Sequence, residues 1–130
     1  MRTIRYAALA ATAWLVAACA MGPGEPQHKV MNTSVGPVLA TGSGMTLYTF
    51  AKDTVPGKSA CNGPCAKNWP PLMAQADAQP VGKWTVITRD DGSKQWAYDG
   101  KPLYGWIRDK APGDTTGNGF LNGAWKVAQP

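Results

Sequence analysis

The sequence predicts an all-β domain made of two tandem, pseudo-symmetric repeats of about 56 residues, each a three-strand meander plus a long loop, closing into one sandwich or barrel-like unit. Three observations point there. A shift of 56 residues lays Gly44, Leu47, Tyr48, Asp53, Pro56, Gly57, Asn62, Gly63 and Trp69 on Gly100, Leu103, Tyr104, Asp109, Pro112, Gly113, Asn118, Gly119 and Trp125 without a gap. These are residue types that answer turn geometry and core shape, which is what a duplicated backbone preserves. Strand-like runs with turn signals recur at the same spacing in both copies, and no βαβ alternation interrupts them. After each meander comes a loop rich in Gly, Pro, Asn, Ser and Thr, residues 53–68 and 109–124, of a length that is uncommon without internal packing or a function.

Arg2 and Arg5 precede an uncharged stretch, Tyr6 to Ala18, ending Leu15-Val16-Ala17-Ala18-Cys19. A charged start, a short apolar run and small residues before a cleavage point make an export signal. The stretch is shorter than the roughly 20 apolar residues a transmembrane helix needs. Val16-Ala17-Ala18-Cys19 resembles the lipobox of bacterial lipoproteins, which implies acylation of Cys19 and anchoring through its acyl chains, since more than one chain holds a protein stably on a bilayer. The competing reading is an ordinary signal peptide with an incidental cysteine. Ala20 stands where an aspartate would, by resemblance to enterobacterial lipoproteins, favour the inner membrane, so the expected place is the outer membrane facing the periplasm. The expected organisation is residues 1–18 as signal, 19–29 as lipidated N-terminus and flexible tether, and 30–130 as one duplicated β domain, with repeat one at 30–74 and repeat two at 84–130.

Loss of Arg2 and Arg5 lowers the basic count from 13 to 11 against 8 acids, so the mature charge is +3 instead of +5. The remaining Lys and Arg are scattered among acids, and no stripe resembles a nucleic-acid footprint. Five tryptophans (69, 84, 96, 106, 125) give a domain of about 100 residues a large apolar payload, since each aromatic buries on the order of 150–250 Å². A surface row of them would instead suit a carbohydrate.

Along the second copy, Trp84 to Arg89 reads as a strand, Asp91-Gly92 as a two-residue hairpin turn, Lys94 to Tyr98 as a strand, Asp99-Gly100 as a second such turn, and Pro102 to Ile107 as extended. In the first copy Val30 to Val35, Val38 to Thr41 and Thr46 to Ala51 take the same places, with Gly36 and Gly44 as the turn glycines, so both hairpins read as duplicated. No stretch has the periodicity of an amphipathic helix.

The most specific repeated element is Tyr48-Thr49-Phe50-Ala51-Lys52-Asp53 and Tyr104-Gly105-Trp106-Ile107-Arg108-Asp109. Period two puts Tyr48 with Phe50, and Tyr104 with Trp106, on one strand face. Asp53 and Asp109 fall out of phase with that face and are expected to cap the following turn, as Asx turns do. The alternative makes Asp53 and Asp109 a symmetric pair of ligands for a hard cation or a basic partner, although one carboxylate per half is too few oxygens for calcium unless carbonyls complete the shell. Lys52 and Arg108 read as solvated.

This Y-x-[FWY]-x-x-D pattern, present twice, with Cys61-Asn62-Gly63-Pro64-Cys65 through Trp69-Pro70-Pro71-Leu72 after the first copy and Gly100-Lys101-Pro102-Leu103 before the second, resembles the bacterial lipoproteins called secreted repeats of unknown function. The resemblance covers nearly the whole mature domain and implies an exported, lipid-anchored envelope protein. It supplies no catalytic residues.

Cys61 and Cys65 lie in a chain destined for export, where disulfides persist, and the second copy has Gly117 and Leu121 in their places. A disulfide is therefore a local staple on one loop. The alternative is thiol redox chemistry, disfavoured by the C-x-x-x-C spacing and by Pro70-Pro71 soon after. His28, the sole histidine, lies at the edge of the tether, and Met31, Met45 and Met73 show no ligand spacing, so no metal and no cofactor is expected. Catalytic triads, paired acids and phosphate loops have no counterpart here, and no catalytic residue is assigned. The expectation is a non-enzymatic binding or structural module, touching the membrane through acyl chains on Cys19 and an envelope protein through its long loops. A periplasmic thiol-redox or metal-handling protein using Cys61 and Cys65 is the alternative.

Overall fold

A computed structural model describes residues 24–130 of the chain. The export segment, Cys19 and the first part of the tether lie outside the described residues. In order along the chain come β1 (His28–Thr33), β2 (Gly36–Thr41), β3 (Tyr48–Phe50), α1 (Pro64–Asn68), β4 (Met73–Ala74), β5 (Trp84–Thr88), β6 (Lys94–Tyr98), β7 (Lys101–Pro102), α2 (Phe120–Gly123) and β8 (Trp125–Val127). Every strand pair is antiparallel. The all-β class and the two tandem repeats are present as read, in small sheets that do not close: β1 with β2, β3 with β8, and β4-β6-β5 with β7 added to β6.

Each long loop also holds a short helical turn that the sequence did not announce. In α1, Pro64 takes a first-turn position, where its missing N–H costs nothing. In α2, Leu121 and Asn122 adopt left-handed conformations (φ 59° and 57°), so the element is a coiled turn more than a helix. Segments of four and five residues are too short to show helical periodicity.

The turns correct the expectation of an ungapped duplication. Arg89 N–H donates to Ser93 O at 2.8 Å and Gly92 N–H to Arg89 O at 2.9 Å, so Asp91-Gly92 belongs to a three-residue connection, with Gly92 at φ 89°, instead of a two-residue turn. Its counterpart joins Thr33 to Gly36 through two residues. At the next turn the lengths are reversed. Thr41 N–H donates to Met45 O at 2.9 Å across three residues, whereas Tyr98 pairs with Lys101 across Asp99 and Gly100, both at positive φ. The two differences cancel, which is why the flanking residues stay 56 apart while the strand between them is offset by 57. Leu39 and Trp96 are thus the true equivalents: Leu39 N–H donates to Ala128 O and its carbonyl accepts Leu47 N–H, while Trp96 N–H donates to Leu72 O and its carbonyl accepts Leu103 N–H. The offset matters because one residue of slip exchanges the two faces of a strand. With it, the buried triplet Val38-Leu39-Ala40 matches the buried triplet Gln95-Trp96-Ala97.

The halves exchange their terminal segments. Strand β3 of repeat one pairs with β8 of repeat two, and the reciprocal contact is the bridge from Pro71 to Tyr104. Ala51 N–H donates to Ala124 O at 2.7 Å, and Ile107 N–H to Asn68 O at 3.0 Å. On the pseudo-twofold axis Tyr48 and Tyr104 pair with each other, N–H to O at 2.8 and 3.0 Å. One core cluster joins Val38, Tyr48, Cys61 and Trp69 to Tyr104, Trp106, Trp125 and Val127, and the second joins Leu39 and Leu47 to Trp84, Trp96, Leu103 and Ala128. Both clusters draw on both repeats, so neither repeat owns a core. Residues 24–80 and 81–130 produced as separate chains are each expected to be unfolded by circular dichroism and to regain a β spectrum when mixed. A cooperative unfolding transition in either half alone would contradict the exchange.

Candidate functional site

The repeated tyrosine and aspartate form a crossed pair of hydrogen bonds around the axis. Tyr48 and Tyr104 start adjacent antiparallel segments, and pleating sends both rings into the core, where neither side chain is exposed. From there each phenol reaches the other repeat. Tyr48 donates to Asp109 Oδ2 at 2.7 Å, and Tyr104 donates to Asp53 Oδ2 at 2.7 Å. The remaining carboxylate oxygens turn back into their own loops: Asp109 Oδ1 accepts the N–H and hydroxyl of Thr116 at 3.0 and 2.6 Å, and Asp53 Oδ1 accepts Ala60 N–H at 2.7 Å. The aspartates therefore cap backbone seven residues downstream, not a local Asx turn, and their second partner is a tyrosine some 50–60 residues away in the chain. Strand periodicity could not have found that partner.

Burial raises both phenols well above the ordinary tyrosine range, and the adjoining carboxylate adds to the shift in each case. Asp53 is raised above the usual aspartate value, chiefly by desolvation, against the opposing effect of its hydrogen bonds from Ala60 and Tyr104.

A column of four aromatic rings crosses the same axis. Phe50 stacks on Trp125 (centroids 4.1 Å, 8° between planes), Trp125 on Trp69 (3.9 Å, 1°) and Trp69 on Trp106 (4.0 Å, 28°). Tyr48 meets Trp69 edge-on at 5.3 Å, and Tyr104 meets Trp125 edge-on at 5.1 Å. Contacts of these kinds contribute about 0.5–1.5 kcal/mol each beyond burial. All five tryptophans of the domain are buried, at 2–8% exposure, so none forms the exposed row a carbohydrate binder would show.

The loops around this column are stiffened differently. In repeat one Cys61 and Cys65 form a disulfide, as expected. In repeat two Gly117 takes the place of Cys61, and a Cβ there would lie 2.7 Å from Trp69 Cη2 and 3.0 Å from Trp106 Cγ. Ring packing thus excludes any side chain at that position. Phe120 completes the arrangement by leaning on Trp106 at 4.9 Å.

Arg89 is the residue that sequence reasoning missed. Read as the end of a strand, it is buried at 6% exposure. Its Nη1 donates to Gln95 Oε1 at 2.7 Å and Ser59 Oγ at 3.1 Å, and its Nη2 to Cys61 O at 2.6 Å and Asn62 Oδ1 at 3.3 Å. Ser59 in turn bonds the Tyr104 hydroxyl at 2.7 Å, so the guanidinium, the disulfide loop and the crossed pair form one network. No motif marks it, because its partners are ordinary polar groups from two separate segments, residues 59–62 and Gln95. The available signal was a mismatch within the repeat, Thr33 at the corresponding position.

The other singled-out residues stay apart from this network. Lys52 and Arg108 are exposed, and His28 Nδ1 lies 2.9 Å from Pro26 O with its ring 4.8 Å from Trp84. Among the described residues no three His, Cys, Asp or Glu side chains come together in a way that could hold a metal ion.

Tyr48→Phe is expected to cost about 1–3 kcal/mol in urea denaturation, because it leaves a carboxylate oxygen of Asp109, at 7% exposure, without its donor. Tyr104→Phe is expected to cost less, since Asp53 is half-buried and water can reach it. For both tyrosines the folded-state pKa lies above the unfolded one, so their contribution is full below about pH 10 and is lost as pH rises further. The wild-type protein should therefore weaken in alkali with a steeper slope than either phenylalanine variant; equal slopes would contradict the assignment.

The family described as a secreted repeat of unknown function matches the chain twice, over residues 29–73 and 85–129. No curated protein and no solved structure matches it. The matched stretches each run from the first strand of a meander to the segment exchanged with the other half, so the family's unit coincides with the structural repeat. The chain therefore belongs to the secreted repeats of unknown function, in two tandem copies.

Proposed function

We propose that the protein is a lipid-anchored envelope module without enzymatic activity, held by acyl chains on Cys19 in the outer membrane and presenting its long loops to a protein partner in the periplasm. What carries this reading is where the repeated polar groups are used. Both oxygens of Asp53 and of Asp109 accept hydrogen bonds, and each repeated tyrosine donates to one of them. The residues that define the repeat are thus occupied in holding two loops against a rigid centre, which is the arrangement of a display scaffold. Within those loops Val55, Phe120 and Leu121 are exposed, which leaves apolar side chains on the loops for a partner to cover. The family's description as secreted supports export, and the lipobox-like stretch before Cys19 supports the anchor. Arg89 bound to the Cys61 carbonyl favours a staple over a cycling dithiol.

Cys19→Ala is expected to move the protein from the membrane to the soluble fraction and to abolish an acyl mass on the N-terminal peptide. Unchanged sedimentation would overturn the anchor. Hydrolase or oxidoreductase turnover that disappears when a loop residue is changed would overturn the non-enzymatic reading.

A further inference from the structure

The duplication produces two equivalent clefts, and only one of them is basic. The first, of about 320 Å³, lies among β3, the β6–β7 turn and β8, and its lining includes Thr49, Tyr98, Leu103 and Val127. The second, of about 220 Å³, is lined at the corresponding positions by Gly105, Thr41, Leu47 and Pro71. The shared frame therefore builds a cleft in each half. They differ in charge: Lys101 and Lys126 line the first where Met45 and Pro70 line the second, and Lys83 joins the first from the turn before β5. The second cleft forms without lysines, so the fold does not require them in the first.

Three exposed lysines from separate segments, brought to one concavity, repel one another. None takes part in an ion pair among the described residues, and Lys83 finds a ring, Tyr98, with its Nζ 5.9 Å from the centroid. Asp99 is the one acidic side chain on the lining. Three lysines against one aspartate leave the concavity a basic excess, and a concavity with an excess of one sign attracts a counter-ion. Lysines are compact point charges, and several of them brought to one concavity suit a compact multivalent anion such as phosphate. Thr49, Tyr98 and Asn118 add neutral donors.

We propose that this cleft is a phosphate-binding site, taking either a free phosphate or pyrophosphate or the phosphate of an anionic lipid headgroup. The assignment is independent of acylation at Cys19 and of any partner of the loops.

The full protein in neutral detergent, titrated with sodium pyrophosphate and separately with dihexanoyl phosphatidylglycerol, should bind at least one of them saturably by calorimetry. Binding to pyrophosphate identifies a soluble ligand, and binding to the lipid alone identifies a headgroup; both support the site. Lys101→Met and Lys126→Gln should each weaken binding by up to roughly fivefold, the upper end for an exposed ion pair, and together multiplicatively. Lys52→Met removes the same charge outside the cleft and should change affinity little. No saturable binding of either probe, or equal weakening by Lys52→Met, would overturn the proposal. Unchanged thermal unfolding of the three variants separates loss of the site from loss of the fold.

Discussion

The crossed tyrosine–aspartate pairs are the constraint on which the rest of the molecule depends. Each phenol sits on a central segment of one repeat and is bonded to the carboxylate that organises the long loop of the other. Buried groups of this kind contribute little net stability when fully bonded and cost a great deal when left alone, so the arrangement favours one geometry strongly over its neighbours. Because the bonds cross the axis, the loop of repeat one cannot settle until the strand of repeat two is in place, and the reverse holds equally. Cooperativity between the halves is therefore built into the hydrogen bonds, before any apolar surface is counted.

The aromatic column follows from the same symmetry. A residue next to a twofold axis meets its own copy, so its side chain must be complementary to itself. A flat indole meets that requirement by stacking, and Trp69 and Trp125 lie parallel at 3.9 Å. Once those rings are placed, the space beside them is fixed. Gly117 is the outcome in repeat two, where no Cβ fits against Trp69. In repeat one a side chain does fit, and Cys61 uses it to form the disulfide while Arg89 grips its carbonyl. Two copies of one loop thus became rigid by different means, ring packing in one and covalent closure with a buried guanidinium in the other.

Much of the frame was legible because it rests on residues with a narrow conformational purpose. Gly44, Gly92 and Gly100 adopt positive φ at turns, and the tryptophans fill the interior, as their types suggest. The family also followed from a motif that is specific when doubled. Three features stayed hidden for physical reasons. The exchange of terminal segments is a choice of partner between two nearly identical strands, and sequence periodicity assigns a face without assigning a neighbour. The compensating turn lengths left the identities 56 residues apart on both sides of β2 and β6, so an ungapped alignment concealed a strand whose equivalents are 57 apart. Arg89 was obscure for a related reason: a buried charge with neutral acceptors makes no pattern until the chain is folded.

Duplication also supplies an internal control that a single domain lacks. Where both halves keep a residue, the shared fold is sufficient reason, as with Tyr48 and Tyr104 or Leu47 and Leu103. Where they differ, the half lacking a feature shows that the frame stands without it. The disulfide passes through this comparison as a matter of local stiffness, since the packing of Trp69 and Trp106 on Gly117 occupies the place it would have needed. The lysines do not, because nothing in the packing of the apolar cleft explains why Met45 and Pro70 should be Lys101 and Lys126 on the other side. A difference that the core leaves unexplained points outward, to something the basic cleft meets and the apolar one does not.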